Sequence, residues 1–151
     1  MRMRFPIQNL LNQKECEAWI LHHFHPEGLR CPGCQCDVSE SHLFRRTRRS
    51  QLEVYRCNQC QTVYNLYSRT VFQQRHLTPQ QVVLLLRGMV KGETSKAIAE
   101  ELDVSYTTIL ELRHDIQANA VLLQSEEALP DEVTETDEMF QNAGEKRRRT
   151  L

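Results

Sequence analysis

The sequence predicts an α+β fold, and three observations support this prediction. Two Cys-x-x-Cys pairs, beginning at Cys31 and Cys57, are separated by 22 residues. Residues 52–56 alternate between apolar and polar side chains as a strand does, and residues 62–67 supply a further strand. After Thr78 the apolar residues recur at helical spacing instead. We therefore expect a small three-stranded antiparallel ribbon around the cysteines, followed by an all-α bundle.

A helix is predicted before the first cysteine pair, over residues 13–25. Asn12 and Glu15 have the Asn-x-x-Glu spacing of a capping box. Trp19 and Phe24 belong to a set of apolar residues that recurs at helical spacing after that cap. We expect this helix to lay both aromatic side chains on the ribbon, which would give the cysteine segment an apolar base.

The two cysteine pairs predict one tetrahedral zinc site. Two intervening residues let each pair fold as a tight knuckle, so that both of its sulfurs face one metal. A segment of this size buries too little apolar surface to fold alone, whereas zinc binding contributes about 10 to 16 kcal/mol of apparent free energy in small modules. The expected ligands are Cys31, Cys34, Cys57 and Cys60.

Other roles for the cysteines stay open at this point. A disulfide framework needs an oxidising compartment, yet residues 1–11 contain no apolar run of signal-peptide length. A redox centre needs only one Cys-x-x-Cys pair, and an iron site of the rubredoxin kind uses four thiolates in similar knuckles. Cys36 follows Cys34 closely enough to compete for the metal, but its spacing breaks the knuckle, so we interpret it as a spare thiol. Cys16 is interpreted as a packing residue of the first helix.

Charge is distributed unevenly along the chain. Residues 29–96 contain 11 Lys/Arg and four Asp/Glu, whereas residues 97–145 contain 13 Asp/Glu and one arginine. A basic segment followed by an acidic one indicates a polyanionic partner for the first segment alone. No apolar run reaches the length of a membrane span. We expect a cytoplasmic, reduced protein without a membrane partner.

Four arginines lie at the tip of the predicted hairpin. Arginines clustered without nearby acids repel one another, which favours a compensating phosphate partner, although a solvated hairpin is the alternative. Tyr55, Tyr64 and Tyr67 are expected either to add stacking or deoxyribose contacts or to pack over the metal site. The four arginines are Arg45, Arg46, Arg48 and Arg49.

Three helices are predicted after the strands. Thr78 caps the first helix and Pro79 occupies its first position, where the missing N–H costs nothing. This helix is expected to end at Lys91 and Gly92. The second helix spans residues 95–102, and the third runs from Ser105 to about residue 120. Short connections between them favour a small bundle.

Residues 98–109 have the pattern of a helix-turn-helix. Asp103 stands where such turns favour glycine, and aspartate tolerates the left-handed conformation better than most residues. On the third helix we expect Tyr106, Thr107 and Arg113 to face outward and to add modest base contacts in a major groove. The alternative is a three-helix bundle that makes only protein contacts.

The order of these elements resembles a known family. The C-P-G-C and C-N-Q-C knuckles are followed by S-R-T-V-F at residues 68–72, by the helix-turn-helix pattern, and by E-T-D-E at residues 135–138 in an acidic tail. This order resembles the N-terminal portion of bacterial insertion-sequence transposases of the ISXO-like zinc-ribbon group. That family often has glycine where this chain has Gln35, Gln61 and Arg69, a difference that bears on the geometry of the knuckles.

The resemblance implies a part of a DDE transposase that recognises the terminal inverted repeats of an insertion element for cut-and-paste DNA transposition. In that family an RNase-H-like domain holds two divalent ions on an acidic triad, and Asp137 would be the first metal-binding carboxylate. The chain stops before the other two acids, so we expect no catalysis by this chain alone and Mg²⁺ binding only in the full-length catalytic domain. The implied partners are double-stranded DNA and another copy of this chain or the full-length transposase.

These inferences divide the chain into four predicted parts. Residues 1–28 carry the helix that packs on the ribbon, residues 29–76 the zinc ribbon, residues 77–124 the helix-turn-helix, and residues 125–151 a linker with the truncated start of the catalytic domain. The alternative function is a zinc-ribbon and helix-turn-helix transcriptional regulator or protein-interaction module, whose ribbon binds protein. A third hypothesis, electron transfer through iron, requires a coloured, redox-active protein.

Overall fold

The computed structural model describes residues 7–122, and its α+β class agrees with the sequence prediction. Within these residues lie five α-helices, one short 3₁₀ helix (Val38–Glu40) and one three-stranded antiparallel sheet of strand order β1-β2-β3. No described helix has both the length and the apolar character that a membrane span requires. The strands are β1 (Ser41–Arg46), β2 (Glu53–Cys57) and β3 (Val63–Tyr64), and the helices are α1 (Ile7–Leu10), α2 (Gln13–Phe24), α3 (Pro79–Val90), α4 (Ser95–Leu102) and α5 (Tyr106–Leu122).

Helix α2 begins where the sequence predicts, but one of its predicted packing residues is exposed. The side chain of Asn12 accepts hydrogen bonds from the N–H groups two and three residues later, at 2.9 and 3.3 Å. The prediction for Trp19 is wrong: its side chain is 39 % exposed, whereas the next residue, Ile20, is fully buried. Phe24 packs edge-on against Phe72, with ring centroids 5.7 Å apart, so it contacts the segment after the sheet.

One apolar core joins α2 and the segment after the sheet to the three C-terminal described helices. Helix α2 packs on α3, α3 packs on α4, and α4 packs on α5. A second, smaller cluster of buried residues surrounds two of the cysteines. The large core contains Ile20, Phe72, Leu85, Leu102 and Ile109, all fully buried. The small cluster consists of Leu29, Cys31, Cys57 and Tyr64.

Two of the three tyrosines near the sheet are core residues. The Tyr67 side chain is 1 % exposed, its hydroxyl donates to the Leu77 carbonyl at 2.8 Å, and burial raises its pKa. Tyr64 is 2 % exposed, and its hydroxyl lies 2.7 Å from the Ser41 hydroxyl. Neither ring is available to stack on a base. Tyr64 packs in the cysteine cluster, as the packing alternative predicts, whereas Tyr67 lies in the large core. Tyr55 is half-buried.

The sheet is irregular at its edge strand. The pairing of β1 with β2 shifts by one residue between Leu43 and Arg45, so Phe44 is an extra residue in β1. A bulge of this kind increases the local twist and redirects the side chains that follow. The Arg56 guanidinium carbon lies 4.0 Å from the centre of the Phe44 ring, a cation–π arrangement across the two strands. Arg45 is the first residue after this bulge, so the bulge affects the direction of its side chain.

Local signals at the helix ends are confirmed. The Thr78 hydroxyl accepts from the Gln81 N–H at 3.2 Å, and the Gln81 side chain accepts from the Thr78 N–H at 2.9 Å, which completes a capping box before Pro79. Helix α4 has the predicted bounds. Asp103 adopts the left-handed conformation, with φ 54° and ψ 44°, as its position in the turn predicts.

Candidate metal centre and arginine surface

Four cysteine sulfurs converge beside the sheet. All four lie within 4.8 Å of one another, with 3.4 Å between Cys31 Sγ and Cys60 Sγ and 3.5 Å between Cys34 Sγ and Cys57 Sγ. A tetrahedral site with zinc–sulfur bonds of about 2.3 Å places its sulfurs about 3.8 Å apart. The sulfurs of these four cysteines therefore need only small shifts to reach the geometry of a zinc site. The four cysteines could therefore hold a metal ion such as zinc.

The two knuckles have the same backbone geometry. The N–H of Gln35 donates to the Cys31 carbonyl at 2.9 Å, and the N–H of Gln61 donates to the Cys57 carbonyl at 3.0 Å. In both knuckles the first cysteine also donates its own N–H to the carbonyl five residues later, at 3.0 Å. Gln35 and Gln61 both have left-handed backbones, with φ 64° and 62°. The knuckle geometry thus forms with glutamine at a position that favours glycine.

Replacing Gln61 by glycine is expected to stabilise the protein by up to about 1 kcal/mol. A side chain in the left-handed conformation costs about 1 to 2 kcal/mol, part of which the greater freedom of unfolded glycine cancels. Thermal unfolding at saturating zinc measures the change. Gln59→Gly in the same knuckle is the control, because Gln59 does not have a positive φ, and it should destabilise. A loss of stability in the Gln61 variant would contradict the prediction.

Neighbouring groups change the pKa values of three of the four thiols. The N–H of Cys60 is the main group that lowers the pKa of Cys57, to about 6, and the Thr62 hydroxyl is the main group that lowers the pKa of Cys60. The Cys36 N–H also stabilises the Cys34 thiolate, but the Cys36 thiol and burial outweigh it and raise the pKa of Cys34 to about 11. Thiolates this close repel one another, and a divalent cation at their centre removes that repulsion.

Residues outside the cysteines support the first knuckle. A Cβ atom on Gly33 would lie 2.5 Å from Thr62 Oγ1 and 3.0 Å from Cys60 Sγ, so glycine is required there. The guanidinium of Arg69 donates to the Pro32 carbonyl inside the same knuckle. These contacts join residues that are distant in sequence, so no local sequence pattern indicates the contact made by Arg69.

Tetrahedral sites of four thiolates belong to zinc or iron proteins. No protein-family model, curated protein or solved structure matches this chain. The identity of the metal and the function of the protein must therefore be argued from the residues themselves. Asp137, the predicted catalytic carboxylate, lies outside the described residues, as does the acidic tail that contains it.

The four hairpin arginines are all exposed, but they are not equivalent. Arg46 Nη2 lies 3.5 Å from Glu53 Oε1, on the residue opposite it in β2. Within residues 7–122, Arg45, Arg48 and Arg49 make no ion pair. Three of the four arginines predicted to contact phosphates thus have no compensating acid in the described part of the chain.

Hydrogen bonds order the loop that carries two of these arginines. The Thr47 N–H donates to the Leu52 carbonyl at 2.9 Å, and the Leu52 N–H donates to the Thr47 hydroxyl at 3.0 Å. From helix α2, the side-chain amide of Gln13 donates to the Gln51 carbonyl at 2.7 Å. The loop is therefore closed on itself and supported by α2, which limits the entropy that the backbone loses when a ligand binds.

The three predicted base-contact residues on α5 differ in their surroundings. Tyr106 is 52 % exposed and Thr107 is also exposed, both in the first turn of the helix. Arg113 is partly buried, and its guanidinium donates to the Glu93 carbonyl in the connection between α3 and α4. Tyr106 and Thr107 are accessible to a ligand, whereas Arg113 holds α5 against the connection between α3 and α4.

A cavity of about 370 Å³ lies between the hairpin loop and the turn that precedes α5. Its walls bring together residues from the hairpin, from the segment before α3 and from the turn. Arg75, which lies between the sheet and α3, also binds Glu111 at 3.0 Å and Asp115 at 3.6 Å on α5. The charged and polar residues that line this cavity include Arg49, Arg75, His76, Gln81, Asp103 and Thr108.

Proposed function

We propose that this chain is a zinc-stabilised DNA-binding module, the N-terminal part of an insertion-sequence transposase that recognises the ends of its element. The four cysteines hold structural zinc in a zinc ribbon, and α4 and α5 form a helix-turn-helix. Arginines of the hairpin contact phosphates, and the first turn of α5 contacts bases.

The arrangement of α4 and α5 supports the helix-turn-helix. Ala99 is small and buried where the two helices meet, and Leu102 and Ile109 are fully buried between them. The left-handed Asp103 turns the chain between the helices. The Ser105 hydroxyl then accepts the Thr108 N–H at 3.2 Å and caps α5. A helix that begins in this way, with exposed side chains in its first turn, suits insertion into a major groove.

The main support for DNA as the partner is the position of Arg49. This side chain lines the same cavity as Asp103 and Thr108, so the hairpin loop and the start of α5 face one region of the surface. A duplex placed there meets phosphate-binding and base-contacting side chains at once. The transposase assignment itself rests on the order of the sequence motifs.

DNA binding is tested by comparing Arg49→Gln with Arg46→Gln, which makes the same change of charge in the same hairpin. The wild-type protein is expected to bind the inverted repeat that flanks its gene more tightly than a scrambled duplex, with an affinity that falls steeply with salt. Arg49→Gln should lower the slope of log affinity against log salt concentration by about 0.9, the value of one lost phosphate contact. It should weaken binding to both duplexes by the same factor. Arg46→Gln should change the slope less, because Glu53 already compensates Arg46.

Fluorescence anisotropy at several salt concentrations measures these slopes. Equal slopes for wild type and Arg49→Gln would contradict the proposed surface. No discrimination between the repeat and the scrambled duplex would contradict recognition of element ends, and no binding to either duplex would contradict a DNA-binding function.

A protein-binding module is the second candidate function. Leu43 is 58 % exposed and Phe44 is 43 % exposed, and both lie on the edge strand β1. Exposed apolar side chains on an edge strand suit contact with another protein. This candidate predicts no DNA affinity for the wild-type protein and binding of a protein partner that Leu43→Ser abolishes.

A further inference from the structure

A fifth thiol lies against the four that converge beside the sheet. The Sγ atom of Cys36 is 3.2 Å from the Sγ atoms of both Cys34 and Cys57. Those two sulfurs are themselves 3.5 Å apart, so Cys36 lies across one edge of the candidate tetrahedron. Its backbone is held there because the Cys31 N–H donates to the Cys36 carbonyl at 3.0 Å.

The first knuckle differs from the second in one residue next to the cysteine sulfurs. Because the two knuckles share one backbone geometry, Cys36 corresponds to Thr62, the fifth residue after Cys57. Thr62 Oγ1 is 3.0 Å from Cys60 Sγ, much as Cys36 Sγ is 3.2 Å from Cys34 Sγ. The first knuckle therefore has a sulfur where the second has a hydroxyl, and a neutral hydroxyl is a far weaker zinc ligand than a thiolate.

We propose that Cys36 is an alternative metal ligand that can replace Cys34. The inference rests on the proposed zinc site. Ligation through Cys31 and Cys36 gives a Cys-x₄-Cys spacing, which lies within the range of structural zinc sites. Cys34 is exposed, whereas Cys36 is partly buried, so modification of Cys34 by an electrophile leaves four thiolates for the metal. Cys60 has no such substitute in the second knuckle.

Serine variants of the full chain test this inference, with Cys34→Ser compared to Cys60→Ser. The pair is matched, because each variant removes the last cysteine of one knuckle and both of these cysteines are exposed. Zinc content and competition with a chelator give the affinity, and the sulfur-to-metal charge-transfer band of the Co²⁺ form reports the number of thiolate ligands. Cys34→Ser should bind one zinc with an affinity within about tenfold of wild type and keep a four-thiolate Co²⁺ spectrum.

Loss of a residue that only hydrogen-bonds to a metal ligand lowers metal affinity by roughly 10- to 100-fold. Cys60→Ser removes a ligand itself, so its zinc affinity should fall by more than this, and its Co²⁺ spectrum should report three thiolates. The double variant Cys34→Ser/Cys36→Ser should behave like Cys60→Ser, while Cys36→Ser alone should behave like wild type. If Cys34→Ser loses zinc to the same extent as Cys60→Ser, Cys36 is not an alternative ligand. A wild-type protein that binds no zinc would instead overturn the metal site itself, and this inference with it.

Discussion

Replacing Cys31 by serine is expected to abolish tight zinc binding and to unfold the sheet. Cys31 is fully buried and belongs to a cluster of only four buried residues. So small a cluster supplies less stability than the roughly 10 to 16 kcal/mol that structural zinc contributes in small modules. Hydrogen exchange should show loss of protection in β1, β2 and β3. Helices α3, α4 and α5 should keep theirs, because they lie in the larger core.

Removal of zinc from the wild-type protein by a chelator should reproduce this pattern. Cys16→Ser is the matched control: Cys16 is also a buried cysteine, 6 % exposed, but it belongs to α2 and not to the converging group. This control should keep one zinc per chain and normal protection in the sheet. A Cys31→Ser protein with protected β2 amides and a full complement of zinc would show that the metal is not structural.

Replacing Phe72 by alanine is expected to cost about 3 to 5 kcal/mol of unfolding free energy. Phe72 is fully buried, and its ring centroid lies 5.7 Å from that of Phe24 and 6.0 Å from that of Tyr67. It therefore joins α2 to the segment that follows the sheet. The expected loss is a large fraction of the roughly 5 to 15 kcal/mol by which a domain is stable. Urea unfolding at saturating zinc measures the loss without interference from metal release.

Phe44→Ala is the matched control for this substitution. Phe44 is 43 % exposed, and its ring packs against the Arg56 guanidinium. Its removal should cost about 1 kcal/mol or less, the value of an exposed cation–π contact. If the two phenylalanine variants lose similar stability, the core does not depend on Phe72 in the way that its burial indicates.

The cysteine pairs and the helix ends could be located from the sequence because their signals are short in range. A Cys-x-x-Cys knuckle, a Thr-Pro helix start and a left-handed aspartate each depend on a few neighbouring residues. The strands were harder to place. β3 contains only Val63–Tyr64, because Leu66 and Tyr67 turn into the large core instead of continuing the sheet.

By itself the sequence determined the four convergent cysteines, the bounds of α4 and the turn at Asp103, since local spacing and backbone preference decide these features. Only the tertiary structure decided that Trp19 is exposed and that Cys36 touches two sulfurs. It also decided that Arg46 is paired with Glu53, whereas Arg49 makes no ion pair within residues 7–122. Each of these outcomes depends on contacts between residues far apart in the chain. Such contacts follow from packing of the whole core, which no local pattern specifies.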